Sequence, residues 1–146
     1  MFIAFGYATA QDRLFQMDYL RRKARGRLCE ILGAEALNLD VLSRTVGLSQ
    51  IAEAEWPTLP GETQTLLSAY TAGINALLED SRDNLPIEFA LLDYRPEAWR
   101  PTDSLAIMGE FRWYLTGRFP VIVVPELAKR TLGQGPLYRA FLQGEA

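Results

Sequence analysis

The chain contains no histidine among its 146 residues. That excludes a Ser-His-Asp or Cys-His mechanism confined to this chain, because each needs an imidazole as its base near neutral pH. The common zinc sites go with it, since they need histidine or several cysteines, and cysteine is represented by Cys29 alone. A single cysteine also excludes an intrachain disulfide framework; among apolar neighbours it reads as an inert, small packing residue. No apolar run approaches the ~20 residues of a membrane-spanning helix. Residues 2–5 have neither the charged lead nor the apolar length of a secretion signal. The formal net charge is −3, so no overall basic field points to nucleic acid. Any enzymology must rest on carboxylates, on a cofactor or on a partner chain.

What is present is helical punctuation. Tyr7, Ala10, Leu14, Met17 and Ala24 recur at helical spacing, widened by Phe15 and Leu20, and predict a helix over residues 4–24. Asp18 precedes Arg22 by four residues, the favourable order for an ion pair along a helix. The basic run Arg21, Arg22, Lys23, Arg25 and Arg27 reads as a solvated helix end that complements the negative dipole terminus. Asp12 and Arg13 read as a polar contact that fixes the helix, with no second carboxylate nearby to make an acid–base pair. Gly26 breaks the pattern, a short helix over 28–32 stops at Gly33, and further short helices are expected over 35–42 and 48–55.

Leu66, Leu67, Tyr70, Ile74, Leu77 and Leu78 form one stripe and predict a helix over 62–80, with Pro60 at its start. Gly73 inside it costs about 1 kcal/mol relative to alanine, which marks the close approach of another element. A proline-punctuated connector over 85–101 carries the apolar anchors Phe89, Leu91, Leu92, Tyr94 and Trp99. Pro101 and Asp103 suit a helix start, and the helix over 102–116 is apolar nearly all round, which predicts burial on more than one side, under another polypeptide or a ligand. Val121, Ile122, Val123 and Val124 are β-branched and bracketed by prolines, so residues 119–125 are expected to be extended. Two short helices, over 126–132 and 137–142, close the chain.

Three blocks carry a resemblance to a known family. The first is GYATAQDRLFQMDYLRRKARGRLCEILG (6–33), the second AYTAGINALLE (69–79), and the third LPIEFALLDYRPEAWRPTDSLAI (85–107). In this order they resemble the small, α chain of the penicillin acylase (penicillin amidase) family of N-terminal nucleophile hydrolases. The resemblance implies a mainly α fold: an irregular multi-helix domain over residues 1–146 with little or no strand, its start shortened relative to a family pattern that places a strand and a secretion signal ahead of the first helix. It implies a periplasmic or secreted protein.

The family is made as one precursor that cuts itself into an α and a β chain, and the β chain's new first residue, usually serine, is the nucleophile. Met1 begins this sequence, so no catalytic residue is expected here and the chain alone is expected to be inactive. What the resemblance assigns to the α chain is part of the acyl pocket, at Arg112, Leu115 and Thr116, with Trp113 and Tyr114 adjacent. Some relatives bind calcium between the chains through one α-chain glutamate. Glu126 is the nearest candidate, although one carboxylate falls far short of the six to eight oxygens calcium takes. No other cofactor is implied. The expected partners are a β chain from the same precursor and a small N-acyl substrate such as a β-lactam side chain or an acyl-homoserine lactone, with no nucleic acid and no membrane span; the isolated chain is expected to self-associate through its uncovered apolar surface. A second reading stays open, a non-catalytic helical interaction domain that docks a partner through Phe111–Leu115.

Overall fold

The computed structural model describes residues 1–116 and 119–143, and every regular element among them is helical. In chain order these are α1 (Phe2–Arg25), α2 (Cys29–Leu32), α3 (Leu37–Val46), α4 (Leu48–Glu55), α5 (Gly61–Asp80), α6 (Ile87–Leu91), α7 (Pro101–Thr116), α8 (Phe119–Leu132) and α9 (Pro136–Gln143), with 3-10 turns at Gly33–Ala36 and Trp56–Thr58. The chain falls into two compact units, Met1–Phe111 and Arg112–Ala146, and the division lies inside α7.

The first unit is organised by the contact of α1 with α5. Glycine makes that contact possible. A Cβ on Gly73 would lie 1.9 Å from the Ile3 carbonyl oxygen, and one on Gly6 would lie 2.0 Å from that of Tyr70. The two backbones meet with no side chain between them at these points. Gly73 therefore does what its place in the helical stripe predicts, and Gly6 is its counterpart on the other helix. Ala10, Leu14 and Met17 of α1 continue the seam against Ile74 and Leu77 of α5, and Phe89 and Trp99 of the connector close it.

The connector is held by side-chain bonds to its backbone. Asn75 accepts from the Trp99 amide (2.7 Å) and donates to the Trp99 carbonyl (3.0 Å), a two-way clamp between α5 and the residue two before α7. The Trp99 indole donates to Ser104 Oγ at 3.0 Å. α1 ends where Gly26 takes a left-handed φ of 62°. Asp40 of α3 then receives the amides of Leu28 and Cys29, each at 2.8 Å, and satisfies donors at the start of α2 that the helix leaves orphaned. Cys29 is half-buried, and its hydrogen bond to Asp40 pushes the thiol pKa up.

In the second unit α8 packs on α9. Here the expectation of an extended segment over residues 119–125 is overturned: α8 runs through it, with Pro125 inside the helix. β-branched residues lose only tenths of a kcal/mol each in a helix, while a strand needs a partner to pair with, and none is present among the described residues.

Candidate functional site: the anchored helix α7

The first-unit part of α7 is built opposite to its composition. Its polar residues point inward: Thr102, Asp103 and Glu110 are buried beside Leu105 and Ala106. Its large apolar residues point out, with Met108 44 % and Phe111 61 % exposed. Within the first unit this part of the helix is covered on one side, which leaves the other for the polypeptide or ligand that its composition predicts.

The buried side is a lattice of opposite charges. Asp103, 1 % exposed, receives the Arg100 amide at 2.8 Å, the acid-to-N-cap half of a capping box. Arg25 Nη2 lies 2.5 Å from its Oδ1, and Arg21 reaches its Oδ2 at 3.5 Å. Two turns further along α7, Glu110 meets Lys23 at 2.6 Å. Asp18 pairs with Arg21 and, at 2.9 Å, with Arg22 Nε; the Tyr94 hydroxyl donates to the same carboxylate at 2.9 Å. Arg22 also meets Glu30 at 2.7 Å, and Arg27 bridges Glu30 and Glu97, each at 2.6 Å. The guanidinium of Arg21 sits 4.9 Å over the Trp99 ring, and that of Arg22 4.7 Å over Tyr94.

This corrects the reading of the basic run as a solvated helix end. Arg21 and Arg22 are 3 % and 5 % exposed, and Lys23, Arg25 and Arg27 have carboxylate partners. The environment acts on the acids in turn: two hydrogen bonds from Arg27 hold the Glu97 carboxyl down to about 2, and the same guanidinium lowers Glu30. Burial pushes the Tyr94 hydroxyl up, with the Asp18 charge adding to it. By contrast Asp12 and Arg13 are exposed, and α1 bends at Arg13 (φ −148°, ψ 34°).

The sequence-predicted pocket residues all lie on the last turns of α7. Arg112, Leu115 and Thr116 share a face by helical spacing. Arg112 and Thr116 are exposed and Trp113 is half-buried; the Thr116 hydroxyl donates back to the Arg112 carbonyl at 2.7 Å. Glu126, in α8, is exposed and paired with Arg130 at 3.0 Å and Lys129 at 4.0 Å. Among the described residues no group of three His, Cys, Asp or Glu side chains converges as a metal site. A cleft of about 560 Å³ beside the connector is lined by Arg82, Leu85, Phe89, Tyr94 and Arg95 among others, and draws nothing from α7. Residue reasoning missed Glu110. The signal for Glu110 was present, since two acids seven apart on an otherwise apolar helix fall on one stripe.

Comparison with known proteins agrees with this architecture. The penicillin amidase family profile matches residues 1–142. The chain is 47 % identical over 105 residues to the penicillin acylase 2 proenzyme of Pseudomonas sp. (strain SE83), covering 72 % of this chain and 13 % of that protein. It is 40 % identical over 131 residues to the acyl-homoserine lactone acylase QuiP of Pseudomonas aeruginosa, covering 90 % of this chain and 15 % of that one. The chain thus spans about a seventh of the length of these relatives. The solved structure of a thermostable penicillin G acylase from Alcaligenes faecalis superposes with a TM-score of 0.79 at 26 % identity, covering 100 % of this chain and 80 % of that one. With the motifs in order, the helices in place and the match running nearly end to end, the chain belongs to the penicillin amidase family.

Proposed function

We propose that this chain is the α subunit of a penicillin acylase-like amidase that hydrolyses the amide bond of N-acyl compounds. It supplies part of the acyl-binding pocket, at Arg112, Trp113, Tyr114, Leu115 and Thr116, and the nucleophile is the first residue of a β chain cut from the same precursor. The observation that carries this reading is the first-unit part of α7, with Asp103 and Glu110 sunk in a charge lattice and Phe111 exposed on the other side. An aromatic and aliphatic wall with one arginine suits a hydrophobic acyl tail or ring. The relative named a proenzyme supports a precursor origin.

The chemistry needs no histidine. A free α-amine has an ordinary pKa of about 7.7–8.0, close to what a general base needs at neutral pH. It takes the proton of its own Ser, Thr or Cys side chain, which attacks the amide carbonyl. Donors on the β chain hold the oxyanion, and the acyl-enzyme is then hydrolysed. Calcium between the chains would need Glu126 to leave its pairing with Arg130 and the β chain to supply most of the ligands. The reading places the protein in the periplasm or outside the cell.

The test is purification of the full gene product, intact-mass analysis of its chains, and a screen of N-acyl donors graded by tail length. Two chains, a β chain starting with Ser, Thr or Cys, and release of the free amine are expected. A single uncut chain with no amide hydrolysis refutes the reading.

A further inference from the structure

We propose that Lys23 and Glu110 are positioning residues whose ion pair sets how α7 presents its outer face, and with it the length of acyl chain the protein prefers. This rests on the reading of α7 as acyl-pocket wall. α7 is fastened at two points on one stripe. Asp103 secures its first turn through Arg25 and the Arg100 amide. Glu110 secures it two turns later through Lys23, at 2.6 Å, with the two side chains 8 % and 28 % exposed. One attachment leaves a helix free to swing about its end; the second removes that freedom. Glu110 immediately precedes Phe111, which is 61 % exposed, and lies two residues after Met108.

The chemistry of the second attachment is what points to position over stability. An apolar cluster of Ala24, which follows Lys23, with Ala52, Leu105 and Ala106 is buried on the same side of the helix. Two apolar side chains there would fill the space at little cost in stability, because the Glu110 carboxylate must first be stripped of most of its water to make the pair. Apolar contacts are non-directional and let a helix slide or roll. A short ammonium–carboxylate contact does neither without losing its energy.

The test uses the mature assembled protein and an N-acyl donor series graded by tail length. In the double variant Lys23→Met with Glu110→Met no charge is left unpaired, so folding is retained and the melting temperature changes little. We expect the ratio of kcat/KM between the best donor and one two carbons longer or shorter to fall at least about fivefold, chiefly through KM. Lys23→Arg, which keeps the ion pair, is expected to retain the ratio within twofold. If the double variant folds and keeps the wild-type ratio within twofold, the inference is overturned and the amidase reading stands. If the wild-type assembly releases no amine from any donor, the amidase reading fails, and the inference falls with it. If Lys23→Arg changes the ratio as much as the double variant does, the pair is not what sets it and the inference is likewise overturned.

Discussion

Replacing Gly73 by alanine sets two effects of opposite sign against each other. In an unobstructed helix the change stabilises by about 1 kcal/mol, because glycine is the poorer helix former. Here the added carbon would sit 1.9 Å from the Ile3 carbonyl oxygen, 2.8 Å from the Ile3 carbonyl carbon and 2.8 Å from the Tyr7 amide nitrogen. These are backbone atoms and cannot swing aside as a side chain can. Restoring an ordinary 3.4 Å contact from 1.9 Å requires α1 and α5 to part by about 1.5 Å. A gap of 0.5–1 Å already forfeits a quarter to a half of each dispersion contact, and the seam carries Ala10, Leu14, Met17, Ile74 and Leu77. Overpacking of this kind costs about 3 kcal/mol or more. The net is a loss of about 2 kcal/mol, which lowers the melting temperature by at least about 4 °C in a domain of this size. Circular dichroism during thermal and urea unfolding reads it out. Gly61→Ala is the internal control, because it lies in the same helix with nothing within 4 Å of its Cβ position. A Gly73→Ala protein as stable as Gly61→Ala would refute the close-packed seam.

Asp18→Asn leaves the guanidiniums of Arg21 and Arg22 buried without their shared counter-charge. It should lower stability by about 3–5 kcal/mol in urea unfolding, and a loss under 1 kcal/mol would contradict the lattice. Glu97 gives a pH signature. Its folded pKa of about 2 lies below the ordinary 4.5, so its stabilisation is complete above pH ~5 and fades as pH falls toward 2. The stability difference between wild type and Glu97→Gln should therefore close across that window, and a difference flat down to pH 2 would exclude the Arg27 contact as its source. The isolated chain, with Phe5, Ile87, Leu91 and Phe111 exposed, should self-associate; light scattering that finds a clean monomer at high concentration would count against this.

The sequence by itself determined the helices of the first unit, apart from α6 inside the expected connector, to within a few residues, because apolar spacing, Gly26 and Gly33 as stops, and Pro101 with Asp103 as a start are all local signals. It also determined the Asp18–Arg22 pair, the close approach at Gly73 and, through three ordered motifs, the family. It failed where the deciding term is not local. The valine-rich run over 119–125 has strand-forming side chains, but whether a strand forms depends on a neighbour with free edge groups, and that neighbour is a property of the whole fold. The basic run looked solvated because, beyond Asp18 and the Arg27–Glu30 contact, its partners lie 8 residues away at Glu30, 70 at Glu97 and 82 at Asp103, separations that no helical period reveals. The apolar face of α7 was legible as apolar; that Phe111 faces outward was decided only when Asp103 and Glu110 were buried against Arg25 and Lys23. Ion pairs between distant segments outweigh one helix's own hydrophobic pattern, since an unpaired buried charge costs more than an exposed aromatic ring.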